Sequence, residues 1–221
     1  QMACRCGKTH VAYRIFTQFW RENNQPVLFL VPSLPLLRQT AQKLSGYGLG
    51  GMTLLLVGAD PRPVALPGGR ASMTTDPGVI RSFLDGGGAL VICTYQSSPL
   101  LPDEFGVPVF DECHRTCGGT RPRPFNHVLI QHQSGRRLYM TATPRVDGVV
   151  NMRDDKLFGR TAFQYHLREG ITAGYVNDFR LALIAAEDSA SRPAPRERAE
   201  DPRPDRPDRP DLPRLLALEA E

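Results

Sequence analysis

The apolar residues of this chain fall into short continuous runs that alternate with sets at helical spacing. Val27–Val31 is a continuous apolar run that ends at Pro32, which is typical of a strand buried on both faces. In the segment before it, apolar positions recur every three or four residues up to a polar cluster, which predicts a helix. The apolar positions of that helix are Val11, Ile15, Phe16 and Phe19.

The same alternation continues along the chain. Further strands are predicted at Met52–Val57, Ala89–Thr94, Val107–Phe110 and Leu138–Thr141. Further helices are predicted at Leu34–Leu44, Val79–Leu84 and Asn126–Gln131. This order predicts an α/β fold in which helices cover both faces of a parallel sheet. Such sheets bind ligands in the crevice at the carboxyl ends of the strands.

The composition changes in the last part of the chain. Ser191–Pro213 is dense in Pro, Arg and Asp, repeats Arg-Pro-Asp, and has almost no apolar residues to bury. Because such a segment cannot fold alone, residues 187–221 are predicted to be a disordered linker or tail. Phe179–Ala186, just before it, is interpreted as an edge strand or as the exit toward a following domain. The folded domain is therefore predicted to span residues 1–186.

The charge is unevenly distributed between these two parts. The whole chain has a formal net charge of +4, from 27 Lys and Arg against 23 Asp and Glu. Residues 187–221 hold 7 of the basic and 10 of the acidic residues, which leaves 20 basic and 13 acidic residues in 1–186. A basic folded body suits a phosphate-rich partner such as nucleic acid, although so small an excess also occurs on proteins that bind none.

The cysteine count and the start of the chain predict a cytoplasmic location. Five cysteines are an odd number, and the chain does not open with a charged and then apolar leader. No apolar run approaches the roughly 20 residues that span a bilayer, so no membrane partner is expected. Because Gln1 stands directly before a motif, with no room for a preceding strand, the chain is expected to be a fragment of a longer protein.

The first helix opens with Gly7-Lys8-Thr9, which matches the second half of a phosphate-binding loop. In such a loop the Lys ammonium binds the β- and γ-phosphates, the Thr hydroxyl binds Mg²⁺, and the helix adds its positive dipole end. Together with Cys6, these three residues are the candidate ATP-binding residues, and Thr9 is also a candidate Mg²⁺ ligand. The usual first Gly of the loop is absent, and the same three residues also occur at solvated helix starts.

A second motif follows the strand predicted at Val107–Phe110, which delivers Asp111 and Glu112 at its carboxyl end. Metal-assisted nucleotide hydrolysis needs this arrangement, because one carboxylate holds Mg²⁺ and the next polarises the attacking water. The alternative is a solvated Asp-Glu turn. It is weakened because both motifs would meet at one edge of the predicted sheet. Pro108 departs from the pattern, since Pro removes a hydrogen bond from a central strand.

These residues resemble the motifs of superfamily 2 DEAD/DEAH-box helicases, in the order of that family. Residues 111–115 resemble the DEAH variant of motif II, and residues 139–145 resemble motif III. Residues 29–34 resemble motif Ia, and residues 94–97 resemble the later DNA-contacting motif. Segments at 158–160, 168–171 and 178–180 resemble the exit from the first motor domain of restriction-type and helicase-associated-domain bacterial helicases. The resemblance covers about residues 2–186.

The resemblance implies the first RecA-like ATP-binding domain of an ATP-dependent DNA helicase or translocase, without its second motor domain. ATP and Mg²⁺ are the implied cofactors, and nucleic acid, with DNA favoured, is the implied partner. A second RecA-like domain and a restriction or nuclease subunit are further implied partners. Without the second domain, the chain is expected to hydrolyse ATP very slowly.

The resemblance also assigns roles to individual residues. Asp111 is implied as the Mg²⁺ ligand and Glu112 as the base that orients water. Ser33 and Thr94 are implied to contact the nucleic-acid backbone, against the plainer interpretations of a helix cap and a strand-end hydroxyl. A further group is implied to couple the nucleotide state to domain movement: His114, Thr141, Ala142 and Thr143.

Other functions compete with this interpretation. Arg5 and Pro108 leave room for a degenerate nucleic-acid-binding module that binds ATP without turnover. A third hypothesis is a phosphate-loop ATPase that acts on something other than nucleic acid. A zinc site is a weaker alternative, because its cysteine spacings are not those of common zinc modules. Its ligands would come from Cys4, Cys6, Cys113, Cys117 and His114.

Overall fold

The computed structural model describes residues 1–103, 105–118, 129 and 135–178. The chain divides into two units, Gln1–Phe179 and Arg180–Glu221, and every described residue belongs to the first. The helix predicted at Asn126–Gln131, apart from Leu129, lies outside the described residues. The strand predicted at Phe179–Ala186 and the tail predicted at 187–221 also lie outside them.

A six-stranded sheet forms the centre of the described part, and every pairing within it is parallel. The order across the sheet is β5-β2-β6-β1-β7-β8, and β3 and β4 form a separate antiparallel hairpin. The strands are β1 Val27–Val31, β2 Leu54–Val57, β3 Val64–Leu66, β4 Gly69–Ala71, β5 Met73–Thr74, β6 Leu90–Thr94, β7 Val107–Asp111 and β8 Leu138–Met140.

In the described part of the chain, one α-helix precedes these strands and four others connect or follow them. They are α1 Lys8–Asn23, α2 Leu34–Gly46, α3 Pro77–Asp85, α4 Asp155–Phe158 and α5 Leu167–Thr172, with 3₁₀ turns at Ser98–Leu100 and Cys113–Thr116. α1 ends because Asn24 adopts a left-handed conformation, which Asn tolerates better than most residues. α3 begins because the Asp76 carboxylate accepts a hydrogen bond from the Gly78 N–H at 2.7 Å.

Two hydrophobic layers cover the sheet. On one face, Phe16 of α1 and Leu37 of α2 pack with Phe29 of β1. On the opposite face, Ile80 of α3 and Phe158 of α4 belong to the other layer. All five residues of β1 are fully buried, as its continuous apolar run predicts. The predicted α/β fold, with a parallel sheet and helices on both faces, is confirmed.

The structure differs from the sequence prediction in the apolar face of α1. Phe16 and Phe19 are buried as predicted, but Val11 is 39% exposed and Ile15 is 43% exposed. The predicted helix is correct, but only one stripe of its surface, which includes Ala12 and Phe16, packs against the core. Val11 and Ile15 form a second stripe beside it.

Pro108 is tolerated in the central strand β7 because the neighbouring strands β1 and β8 begin to pair with β7 at different residues. β1 pairs Leu28 with Pro108, whereas β8 pairs with β7 only from Val109 and Leu138 onward. On the β8 side, Pro108 therefore lies one residue before the ladder starts. A ring nitrogen that faces this side removes no hydrogen bond from the sheet.

Within the described part of the chain, no helix is long and apolar enough to cross a membrane.

Candidate nucleotide-binding site

Both predicted motifs meet at the edge of the sheet where the parallel strands end. β7 ends at Asp111, β8 is followed by Thr141, and α1 begins at Lys8 beside them. A cavity of about 400 Å³ opens at this edge, within the range of ligand sites in proteins. It is lined by Cys4, Arg5, Gly7, Lys8, Thr9, His10, Leu36, Gln39, Lys43, Tyr47, Asp111 and Glu112.

The phosphate loop owes its shape to two residues with left-handed backbone. Gly7 caps α1 at φ 88°, a conformation that glycine adopts without strain. Arg5 adopts φ 64°, although its Cβ makes this conformation costly. Cys6 lies between them, half-buried, and donates its N–H to the Ala3 carbonyl at 3.4 Å.

The strained Arg5 leads to a prediction. Replacing Arg5 with Gly removes a cost of roughly 1–2 kcal/mol, so we expect the variant to bind a non-hydrolysable ATP analogue about tenfold more tightly. Titration calorimetry of both proteins with that analogue measures the change. Weaker binding by the Gly variant would mean that the guanidinium is itself a phosphate ligand.

Lys8 joins the two motifs. Its ammonium lies 3.7 Å from Glu112 Oε1 and donates to the Met2 carbonyl at 3.4 Å. The Lys8 side chain is 11% exposed, so its charge is only partly screened by water. Thr9 follows in the first turn of α1, half-buried, at the same cavity.

Asp111 is a buried carboxylate beside another carboxylate. It is 7% exposed, and the pKa of Asp111 is raised to about 6, first by burial and then by the negative charge of Glu112. The charge of Lys8 opposes this rise. The two carboxylates face a single ammonium, that of Lys8, so the site has an excess of negative charge that fits a further cation such as Mg²⁺. The Lys8 ammonium, beside the N-terminus of α1, fits the phosphates of ATP.

The raised pKa of Asp111 predicts a pH effect on Mg²⁺ affinity. A folded-state pKa above the ordinary value favours the protonated group, so the Mg²⁺-binding form is lost as the pH falls through 6. From about pH 7.5 to about pH 5.5, we expect Mg²⁺-dependent binding of an ATP analogue to weaken about fourfold more than it does in Asp111→Asn.

The Asn variant is the control for this experiment because the titration of the nucleotide itself is common to both proteins. Calorimetry at the two pH values gives the comparison. Equal pH dependence in both proteins would contradict the assignment of Asp111 as the Mg²⁺ ligand.

Glu112 follows Asp111 in a left-handed conformation, φ 51°, which is costly for a residue with a Cβ. This turn ends β7 and starts the 3₁₀ turn Cys113–Thr116. The Glu112 N–H donates to Asp111 Oδ1 at 3.1 Å. The strain is therefore located where the two carboxylates are directed into the cavity.

His114 connects the carboxylate pair to the end of β8. Its Nδ1 lies 3.4 Å from Glu112 Oε2 and 2.9 Å from Thr141 Oγ1. Thr143 completes the group, with its hydroxyl 3.5 Å from His114 Nδ1 and its N–H donating to Thr141 Oγ1 at 3.1 Å. Burial lowers the pKa of His114, which favours the neutral ring at pH 7. Ala142 lies half-buried between the two threonines.

Sequence reasoning missed two residues at this site. Tyr95 is fully buried, and its hydroxyl donates to the Asp111 carbonyl at 2.7 Å, which ties the end of β6 to the end of β7. Lys43 of α2 lines the cavity, and its charge lowers the pKa of Asp111. Tyr95 lies in the segment at 94–97 that resembles a helicase motif, but no sequence pattern shows that either residue acts on Asp111 from a distant part of the chain.

The two residues predicted to contact nucleic acid occupy different environments. Ser33 lies at the N-terminus of α2, half-buried, and its hydroxyl makes no capping hydrogen bond. Thr94 is 2% exposed, and its hydroxyl donates to Ser97 Oγ at 3.0 Å. Thr94 thus has the strand-end environment of the plainer interpretation, whereas Ser33 has a hydroxyl that is not used as a cap.

The zinc interpretation finds no support in the structure. Across the described ranges, no group of three or more His, Cys, Asp or Glu is placed to hold a metal ion. Cys113 and Cys117 are buried, and burial raises the pKa of each thiol, which disfavours the thiolate that zinc requires. Cys4, by contrast, is exposed.

Residues 1–146, about two thirds of the chain, match the family described as type III restriction enzyme, res subunit. The chain belongs to this family. It is a superfamily 2 helicase N-terminal RecA-like domain, as its motifs predict.

Two relatives of this helicase domain are much longer proteins. Probable helicase A859L of African swine fever virus (strain Badajoz 1971 Vero-adapted) is 50% identical over 198 residues, which cover 89% of the chain and 23% of the viral protein. The type I restriction enzyme EcoAI endonuclease subunit of Escherichia coli is 25% identical over 195 residues, which cover 83% of the chain and 21% of that subunit. The helicase domain therefore spans about a quarter of the length of these relatives.

Two solved structures resemble the helicase domain. A nuclease-deletion mutant of the type ISP restriction-modification enzyme LlaGI, in complex with a DNA substrate mimic, has a TM-score of 0.63 and 26% identity, and the match covers 79% of this chain and 18% of that one. The Pyrococcus furiosus Hef helicase domain has a TM-score of 0.54 and 20% identity, over 75% of this chain and 34% of that one. The second likeness supports the RecA-like fold alone.

Proposed function

We propose that this helicase domain is the ATP-binding motor domain of an ATP-dependent DNA helicase or translocase with a DEAH-like motif II. The observation that carries the proposal is the meeting of Lys8, Asp111 and Glu112 at one cavity. In a solvated Asp-Glu turn both carboxylates would be exposed, whereas Asp111 is 7% exposed and faces Lys8.

The residues of the cavity divide the chemistry of hydrolysis among them. ATP bound with Mg²⁺ supplies the electrophilic γ-phosphorus. The Lys8 ammonium binds phosphate oxygens and offsets their charge, while the backbone of Cys6 and Gly7 cradles them. Thr9 and Asp111 would hold the Mg²⁺ ion. Glu112 accepts a proton from the attacking water.

The hydrogen bonds of His114 provide a route from this chemistry to movement. When Glu112 takes up a proton, the charge beside His114 Nδ1 changes, and His114 is the partner of Thr141. Thr141 and Thr143 lie just after β8, where they would meet a second RecA-like domain. These contacts support the coupling role proposed for 141–143, Ala142 included.

DNA is the proposed nucleic-acid substrate because the structure of the LlaGI enzyme was solved in complex with a DNA substrate mimic. Ser33, at the positive end of α2, is the proposed phosphate contact, with Thr94 in a supporting role. A second RecA-like domain and a restriction or nuclease subunit are proposed partners, in the cytoplasm, where the five free cysteines are stable as thiols.

A module that binds ATP without turnover is the second candidate function, favoured by the strained Arg5. DNA-stimulated ATP hydrolysis distinguishes the two. We expect double-stranded or single-stranded DNA to raise the ATPase rate of a longer protein that joins this domain to its second motor domain, and we expect Lys8→Ala to abolish that rise. ATP binding without stimulated turnover would favour the second candidate. Turnover that DNA does not change would favour an ATPase with another substrate.

A further inference from the structure

The turn that opens the phosphate loop is attached to the segment at 165–176, which contains α5. Residues 3–6 form this turn, and the Cys6 N–H donates across it to the Ala3 carbonyl at 3.4 Å. The Ala3 N–H in turn donates to the Tyr165 carbonyl at 3.1 Å. One end of the turn is therefore fixed to this segment through the backbone.

The other end of the turn is attached through the Cys6 side chain, which packs against α5. The other residues at 4–8 all line the nucleotide cavity, and Cys6 is not in its described lining. Gly170 is buried in α5, and a Cβ added there would lie 2.9 Å from the Cys6 sulfur. The same Cβ would lie 3.3 Å from Val176 Cγ2 and 3.6 Å from Tyr165 Cε1. The sulfur therefore occupies the space that a side chain at position 170 would need.

The backbone that follows α5 holds Gly170 and Val176 together. Gly174 is left-handed at φ 75°, and its N–H donates to the Ile171 carbonyl at 3.0 Å. The Tyr175 and Val176 N–H groups both donate to the Gly170 carbonyl, at 2.9 and 3.2 Å. This Schellman motif ends the helix and leaves Val176 little freedom to move away from Gly170.

The two attachments explain how the phosphate loop keeps a strained residue. Arg5 lies inside the turn at φ 64°, and such a conformation persists only where the surrounding structure determines it. The hydrogen bond of Ala3 and the packing of Cys6 fix the chain on both sides of Arg5. Because Gly7 follows directly, the same attachments set the direction of the backbone that is proposed to cradle the phosphates.

We propose that Gly170 is a positioning residue for the phosphate loop. Because it has no side chain, the Cys6 thiol can pack against α5, and this contact holds the loop in its ATP-binding shape. The segment at 165–176 is thereby coupled to the nucleotide: a displacement of α5 weakens ATP binding, and bound ATP stabilises the position of α5 to the same extent. The role in ATP binding rests on the proposed function, whereas the packing of Cys6 does not.

Replacing Gly170 with Ala tests the contact, because it adds one methyl group where the sulfur lies. Elsewhere in a helix this substitution stabilises a protein, since Ala is the better helix former. At Gly170 the added carbon would be well inside the usual contact distance, so the sulfur and Val176 must shift. Gly46→Ala in α2 is the matched control, because a Cβ at Gly46 would meet no atom within 4 Å.

The first measurement is titration of the full chain with a non-hydrolysable ATP analogue. We expect Gly170→Ala to weaken binding about tenfold, and about twofold or less in the Cys6→Ala background, because that background has no sulfur at the contact. We expect Gly46→Ala to bind as the unchanged chain does. An equal loss in both backgrounds, or no loss in either, would overturn the proposal.

The second measurement is alkylation of Cys6 by iodoacetamide without nucleotide. Trypsin cleaves after Arg5 and Lys8, so mass spectrometry distinguishes Cys6 from Cys4. We expect Gly170→Ala to raise the rate at Cys6 severalfold, because the sulfur leaves its packed position. An unchanged rate would overturn the contact. A raised rate in a chain that binds no ATP would instead contradict the proposed function and support the contact.

Discussion

Replacing Glu112 with Gln in a protein that carries both motor domains is expected to lower steady-state ATP hydrolysis by about 10²–10⁴-fold. Binding of ATP with Mg²⁺ is expected to persist. Gln keeps the shape of the side chain between Lys8 and His114, but its amide cannot accept a proton from water. Turnover is therefore lost while the phosphate and metal contacts remain.

The measurement is the steady-state rate together with the Kd of a non-hydrolysable ATP analogue. Asp111→Asn is the informative comparison, because it removes the proposed Mg²⁺ ligand and should weaken metal-dependent binding. Glu22→Gln is the matched control, since Glu22 is exposed on α1 and hydrogen-bonded to Gln18 there. An unchanged rate in Glu112→Gln would show that the motif II assignment is wrong.

Joining this domain to the proposed second motor domain is expected to raise the DNA-stimulated ATPase rate by about 10³–10⁵-fold over residues 1–221 alone. The proposed second domain would close the cleft and supply arginine side chains to the transition state. In the described lining of the cavity, Arg5 is the one arginine, and it belongs to the phosphate loop itself. Among the described residues that line the cavity, no arginine outside this loop is therefore placed to supply the charge that we expect the transition state to need.

Steady-state assays of both proteins, with and without DNA, measure this difference. The two-domain protein with Lys8→Ala controls for contaminating ATPases, because it loses the phosphate-binding ammonium. Robust, DNA-stimulated hydrolysis by residues 1–221 would contradict the requirement for a second domain.

The sequence predicts the central strands well because their burial is continuous. Val27–Val31 has the predicted bounds, and the strand predicted at Leu138–Thr141 ends one residue earlier, at Met140. The three strands between 64 and 74 were not predicted. They are two or three residues long, and Val64 is their one buried residue, so they have no periodic apolar pattern.

The sequence predicts the motif residues of the site, but not the residues of other elements that position or charge them. Lys8, Asp111 and Glu112 carry recognisable local patterns, and the structure places them around one cavity. Tyr95 and Lys43 act on Asp111 from other elements, so only the fold reveals them. The exposure of Val11 and Ile15 was also hidden, because helical spacing alone does not tell which stripe the core covers.

The hydroxyl of Tyr95 links the segment at 94–97 to the backbone of Asp111 through a buried hydrogen bond. A displacement of the segment at 94–97 would shift the Asp111 backbone with it, because the buried Tyr95 side chain has no free volume in which to move instead. If nucleic acid and Mg²⁺ each bind more tightly to one position of this linked pair than to another, the two sites are energetically coupled. Reciprocity then requires that bound Mg²⁺ change the affinity for nucleic acid by the same factor as bound nucleic acid changes the affinity for Mg²⁺.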